Sequence, residues 1–433
     1  MTDKVESKKY CRITFKLKSP LAVGSGEGKF TDKDVIRYSN NEPYVPGSSL
    51  AGVYLNELQQ DCNKSELDKY FGFVKKGSGE ANSSKVLIYD AILKKDSEQK
   101  ITKRDMVALD DFKTAKKGAK FDMEAVETGA EFEAFVEQNF TENERVDYIE
   151  KIISLWESGR VYLGSKTMRG YGNVEMTDLR VKEFNLNVKE DCEKWLEFDM
   201  YKDCWGDPAG FTVNPAGKRI VLALKQARGS GLSVRKYTTD VAEEKILPDY
   251  ETLVIKDNVP VIPGTTWAGA FSHRFRELSE LAGYEWSTFE DYLGFVKTGG
   301  DKTLAKKSAI RFNESQLKKA ENIEKPFKQM TRTSIDRFSG GVIPKALFTE
   351  RTYYGGSTKL VISFKEELPR EFRRLLAAAI TDLHYGFLSV GGLTAIGRGI
   401  FEITAINNEP LKHSDDVFKK VETALDFGSK EGV

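Results

Sequence analysis

Asp32 lies 14 residues before Pro46 of PYVPGSSLAG, and Asp249 lies 14 residues before Pro263 of PVIPGTTWAG. One carboxylate set at the same distance from the same kind of turn, twice in a chain, is a spacing that could do chemistry. A carboxylate can hold a hard cation or position an attacking group. Asp34 in TDKDV rivals Asp32, and Asp240 in TTDV competes with Asp249. All four also fit solvated loops with turn-forming aspartates. The stretch from Ser19 to Tyr38 that carries Asp32 and Asp34 is long and polar, and long ordered loops are commonly functional.

Other reactive groups are few. His273, His384 and His413 are the three histidines, none has a counterpart in the other half of the chain, and core or surface roles suit them better than catalysis. No GxSxG, HExxH or Cys/His nucleophile arrangement occurs. The four cysteines, Cys11, Cys62, Cys192 and Cys204, lack metal-ligand spacing and fit a reducing compartment.

Two glycine-rich turns, LGSKTMRGYG and VGGLTAIGRG, would let a backbone approach a phosphate closely. Ser165, Lys166 and Arg169 in the first and Arg398 in the second would add polar and charged contacts. Equally, such turns arise wherever positive φ is required, and neither has the spacing of a nucleotide-binding loop. Two stretches, Lys103 to Val136 and Thr331 to Ile362, read as strand, Gly/Lys-containing turn, strand. The basic residues at their bases, Lys103, Arg104, Arg332 and Arg337, would suit phosphate contacts, as would Arg235 in the loop before Asp249. Ser48 and Ser49, or Thr265 and Thr266, would cap a helix whose positive end can face a phosphate.

The elements that must position these residues are themselves duplicated. PYVPGSSLAG matches PVIPGTTWAG at an offset of 217, and YFGFVKKG matches YLGFVKTG at 222. LDDF matches IDRF at 226, and LGSKTMRGYGNVEM matches VGGLTAIGRGIFEI at 227. An offset that only rises, with the order kept, is the mark of a tandem duplication with small insertions. Domain one is placed at 8–185 and domain two at 217–408, with a linker at 186–216 and a polar C-terminal tail at 409–433. Each half reads β, α, β, β, α, β, with opening strands at Tyr10 to Leu17 and Arg219 to Leu224. The fold class is α+β: two tandem split-βαβ, ferredoxin-like domains, each with a protruding hairpin.

Composition bounds the function. The 66 basic and 66 acidic residues cancel, so any nucleic-acid surface must be local. No window approaches the length of a membrane span, and the N-terminus lacks a signal-like apolar region, which points to a cytoplasmic protein.

The ordered set SPLAVGSGE, TDKDV, PYVPGSSLAG, VALDDFKTAKKGAKF and LGSKTMRGYGNV resembles the RAMP superfamily of CRISPR-associated proteins, in particular backbone subunits of type III effector complexes. PVIPGTTWAGAF, TSIDRFSGG and VGGLTAIGRG carry the resemblance through the second half, and the double unit looks like the fused subunits of III-D-like systems. The resemblance implies a modified RNA-recognition-motif fold that binds CRISPR guide RNA beside other type III subunits. It implies thumb hairpins at Thr114 to Ala119 and Ser339 to Ala346. It further implies metal-dependent cleavage of guide-paired single-stranded target RNA, an endoribonuclease activity. The catalytic and metal-holding aspartate would be Asp32 in the first half, with Asp34 as rival, and Asp249 in the second. Mg2+ or Mn2+ would be held weakly, mostly through RNA phosphates. The competing readings are a non-catalytic structural backbone subunit and a CRISPR repeat-processing endoribonuclease. The histidine set speaks against the last.

Overall fold

The computed structural model describes residues 4–26, 28, 31–74, 79, 81–109, 115–142, 146–214, 217–237, 248–255, 258–299 and 302–427. The chain divides into two compact units. The first comprises Met1–Lys103, Asp122–Thr167 and Tyr171–Ala216; the second comprises Arg104–Phe121, Met168–Gly170 and Gly217–Val433. Two short pieces of the first sequence repeat therefore belong to the second unit.

In the first unit the strands β1 (Val5–Leu17), β2 (Val86–Ile88), β5 (Glu131–Thr141) and β6 (Val174–Asn185) form a sheet in the order β2-β5-β1-β6, all neighbours antiparallel. Helix α1 (Gly47–Leu58) connects β1 to β2, and α2 (Tyr148–Glu157) connects β5 to β6. The period-2 pattern of β1 sends Cys11, Ile13, Phe15 and Leu17 to the helical side, where they meet Leu50, Tyr54, Ile152 and Trp156. Asp147 starts α2 by accepting from the Glu150 N–H at 3.1 Å. Between β2 and β5 stands a hairpin of β3 (Ile101–Leu109) and β4 (Ala115–Val126). Its tip, 110–114, includes the start of the expected first thumb and lies outside the described residues.

The second unit repeats this plan. Strands β7 (Arg219–Gln226), β8 (Ile310–Phe312), β11 (Gly356–Phe364) and β12 (Phe401–Ile406) take the order β8-β11-β7-β12, again antiparallel. Helices α4 (Gly264–Leu281) and α5 (Arg370–Tyr385) make the two connections. On α5, Phe372, Leu375, Leu376, Ala379, Ile380 and Leu383 form one buried stripe at helical spacing against Trp267, Phe271 and Phe275 of α4. The hairpin is β9 (Phe327–Ile335) and β10 (Val342–Tyr354). Even irregularities repeat: the first strand of each sheet shifts register against the last, at Thr14/Phe15 and at Ala223/Leu224.

Two boundary expectations are corrected. Segment 186–216 is no free linker but part of the first unit. Its helix α3 (Lys189–Glu197) and following turns put Trp195, Phe198, Met200 and Trp205 on Tyr10, Phe135 and Phe184, on the face of the sheet away from α1 and α2. The Trp195 indole N–H donates to the Tyr10 hydroxyl at 2.9 Å. Residues 409–427 are no polar tail either. They hold α6 (Val417–Ala424), whose Val417 and Val421, with Leu425, join the core beside α5. No helix among the described residues is long and apolar enough to cross a membrane.

Candidate functional site

The two aspartates at matched sequence distance occupy matched places. Asp32 is exposed; its carboxylate accepts from the Asp122 N–H on β4 at 2.9 Å, and its own N–H donates to the Asp122 carboxylate at 2.8 Å. Asp249 is likewise exposed; its carboxylate accepts from the Thr349 N–H on β10 at 2.6 Å, and its N–H donates to the Thr349 carbonyl at 2.8 Å. The spacing from Asp32 to Asp249 is 217, the offset of the Pro-Gly turns, and that from Asp122 to Thr349 is 227, the offset of the glycine-rich turns. Each aspartate is thus pinned by two hydrogen bonds to one residue on the returning strand of its own hairpin, and each remains exposed.

Asp34, by contrast, is 6 % exposed. Its carboxylate accepts from the N–H and hydroxyl of Thr31, at 2.9 and 2.8 Å, and so closes its own loop. Asp240 lies outside the described residues. Asp122 is the site residue that sequence reading missed: Lys103 forms an ion pair with it, so Asp32, Asp122 and Lys103 form one polar group. Its only sequence signal is its place opposite the Asp32 loop, 90 residues on. Among the described residues no three His, Cys, Asp or Glu side chains converge as a metal site. The oxygen donors of Asp32 and Asp122 suit a hard divalent cation but are too few to bind one alone, which fits an ion completed by other ligands.

Beside each aspartate loop sits a glycine-rich turn with one backbone conformation. Gly164, Lys166, Gly170 and Gly172 have φ of 76, 57, 84 and 69°; Gly391, Leu393, Gly397 and Gly399 have 94, 59, 78 and 74°. The turn is fastened to the segment after the first strand: Ser165 and Gly172 N–H donate to the Ala22 and Pro20 carbonyls, as Gly392 and Gly399 do to Ser233 and Gly231. Positive φ therefore accounts for the glycines, and Lys166 and Leu393 tolerate the same left-handed conformation at matched positions.

The expected phosphate contacts divide sharply. Arg104 is 4 % exposed and pairs with Glu314 at 2.8 Å, so it is corrected to a buried structural cation. Arg398 is also 4 % exposed and pairs with Glu350 and, at 2.6 Å, with the Tyr354 hydroxyl, and the same correction applies. Arg332 leans on Glu350 at 3.2 Å. Arg169, Arg337 and Lys103 are exposed, as is Arg235, which stacks on Tyr250 at 4.3 Å; Lys166 is half-buried. Ile396, 52 % exposed, stands where the first turn has Arg169.

The capping expectation also needs correction. α1 and α4 begin at Gly47 and Gly264, behind Pro46 and Pro263, so Ser48, Ser49, Thr265 and Thr266 lie inside the first turn and are not N-caps. The end of α1 is closed by Asp90, whose carboxylate accepts from the Gly47 N–H at 2.7 Å. A carboxylate already faces that positive end.

At the tip of the second hairpin Phe338 is fully exposed. Asp336 braces the turn by accepting from the Phe338 N–H at 3.0 Å and the Ser339 hydroxyl at 2.8 Å, contacts that hold its carboxyl below the usual range. Ser339 lies in this turn, whereas Val342 to Ala346 run along β10.

No curated protein matches the chain. The model of the RAMP superfamily matches residues 14–175 and 227–402, one match to each sequence repeat. With the duplicated sheet, hairpin and glycine-rich turn, these matches establish that the chain belongs to the RAMP superfamily, whose members bind CRISPR RNA within multi-subunit complexes.

Proposed function

We propose that the chain is a fused double backbone subunit of a type III, III-D-like, effector complex that grips guide RNA and cleaves the target RNA paired with it. The observation that carries this reading is the matched pair Asp32 and Asp249, each solvent-facing and each pinned to its hairpin's returning strand. The modified RNA-recognition, ferredoxin-like fold is supported by the strand order second-third-first-fourth with helices in the two crossovers. Lys166, in the turn fastened through the Ser165 N–H to the Ala22 carbonyl, and Arg235, 14 residues before Asp249, supply cations for RNA phosphates, as does the exposed Arg169. Phe338 is an aromatic tip able to wedge between bases, which would unstack the nucleotide beside the cut.

In the cleavage step the 2′-oxygen of a target nucleotide attacks the adjacent phosphorus and the 5′-oxygen leaves. A 2′,3′-cyclic phosphate and a 5′-hydroxyl result, and the proton released by the nucleophile is taken up by the leaving oxygen through solvent. Asp32 and Asp249 orient the nucleophile or its proton, held in place by the Asp122 and Thr349 backbone. Asp32 or Asp249, with RNA phosphates, would hold a Mg2+, which would supply positive charge to offset the negative charge on the non-bridging phosphoryl oxygens.

One observation favours a purely structural subunit: the same hydrogen bonds make each aspartate a strut between loop and hairpin. The test is cleavage of guide-complementary RNA by the assembled complex, comparing Asp32→Ala, Asp34→Ala and Asp249→Ala. Loss of one distinct cut with Asp32→Ala and another with Asp249→Ala, each by roughly 10²-fold or more, supports two nuclease centres. Cuts unchanged in every variant would leave the struts and remove the catalysis.

A further inference from the structure

Inside the second unit one surface is filled by the two pieces of the first repeat. Gly264, at the start of α4, faces the Phe312 carbonyl on one side and the Arg169 carbonyl on the other; a Cβ there would come within 2.1 and 2.4 Å of them. Gly170 presses on the same stretch: a Cβ there would come within 2.5 Å of the Phe312 carbonyl oxygen. Arg104 reaches Glu314 at 2.8 Å and closes the arrangement. A glycine turn and a strand arginine are thus seated on a helix start, a strand end and a buried carboxylate.

The first unit has the same receiving surface. Gly47 meets the Ile88 carbonyl as Gly264 meets that of Phe312, and Val45 bridges Ala91 where Ile262 pairs with Ser315. The spacing from Ile88 to Phe312 and from Ala91 to Ser315 is 224 in both cases, which makes Asp90 the counterpart of Glu314. Among the described residues nothing stands here in the place of the Arg169 carbonyl. The surface is instead a cleft of about 540 Å³ lined by Tyr38, Gly47, Ser48, Tyr89, Asp90 and Tyr201. No cation pairs with Asp90 among the described residues; its partners are the Gly47 N–H and, at 3.2 Å, the Tyr38 hydroxyl.

We infer that this cleft is the docking site for the glycine turn and arginine-bearing hairpin strand of another RAMP-fold chain. The occupant differs from a second copy of this protein. Strands β3 and β9 correspond end to end at an offset of 226, so the counterpart of Arg104 in the second repeat is Met330. A copy docked through its second repeat would set a thioether against Asp90; a chain with arginine at that strand position would complete the pair. The inference rests on the chain acting in a multi-subunit complex and is independent of whether it cleaves RNA.

The test places the photo-crosslinking residue p-benzoylphenylalanine at Tyr38 of the full chain within the complete effector complex and identifies the cross-linked peptide. The expected peptide comes from the glycine turn or first hairpin strand of a different RAMP-fold subunit. Ser48→Trp, which fills the cleft and replaces neither partner of the Gly47–Asp90 cap, is expected to lower co-purification of that subunit about tenfold while the chain keeps its melting temperature. A cross-link to a second copy, to a subunit of another fold or to RNA overturns the proposal, as does no cross-link in a complex whose composition is complete. A complex that forms the expected cross-link but makes no cuts would refute the nuclease reading and leave this one standing.

Discussion

Arg104→Ala should unsettle the second unit although Arg104 belongs to the first repeat. The arginine and Glu314 are 4 % and 3 % exposed and 2.8 Å apart. Truncating the arginine leaves a carboxylate in a place that water does not reach, and breaking such a pair costs about 3–5 kcal/mol. Coulomb attraction between unit charges about 4 Å apart at an effective dielectric of about 20 is of the same order, ~4 kcal/mol. The second unit spans about 240 residues, a size at which each kcal/mol moves the melting temperature by roughly 2–4 °C. Its transition should therefore fall by about 10 °C. Differential scanning calorimetry of the full chain, with hydrogen exchange at α4 to assign the transition, reads this directly. Arg104→Met combined with Glu314→Gln removes both charges and should recover most of the loss, since the penalty belongs to the stranded carboxylate. A shift below 2 °C in the single variant, or a double variant as unstable as the single, would refute the reasoning.

Three further outcomes follow from the same structure. Trp205→Ala should cost the first unit about 3–5 kcal/mol, read by chemical denaturation, because Trp205 is 3 % exposed under the sheet's outer face. Leu393→Gly should stabilise by about 1 kcal/mol, the left-handed penalty of a non-glycine residue, whereas Gly399→Ala should destabilise, its Cβ meeting the Val390 carbonyl at 1.9 Å; paired melting curves decide. Burial holds the His384 imidazole below its ordinary 6.5, while its Nδ1 accepts from the Ile403 N–H. The unfolded chain then binds this proton more readily, so the contribution is complete above about pH 6.5 and is lost as pH falls. His384→Gln should flatten that slope in a pH series of unfolding free energies.

Most of the architecture was legible because duplication wrote it twice. The Pro-Gly turns, hairpins and glycine-rich turns kept their order, and local patterning placed β1, α2 and α5 close to where they lie. The matched distance of Asp32 and Asp249 from the turns was also visible. Their partners were not, because Asp122 and Thr349 meet them through tertiary pairing across 90 and 100 residues. Arg104 and Arg398 looked like surface cations for the same reason: their carboxylates lie 210 and 48 residues away. Segment 186–216 was misjudged because its aromatic residues are interspersed with charge. Yet Trp195, Phe198, Met200 and Trp205 within eleven residues were signal enough for a packed element, as was the spacing of Val417, Val421 and Leu425.

The seating of Arg104 on Glu314 also sets an order of events during synthesis. The arginine leaves the ribosome 210 residues ahead of its carboxylate, an interval of roughly 10–40 s at ordinary elongation rates. Throughout that interval the first repeat can complete its own sheet, while the start of its hairpin and its glycine turn wait for a surface that does not yet exist. The nascent chain thus carries an unfinished joint, and the second repeat is completed by residues translated long before it.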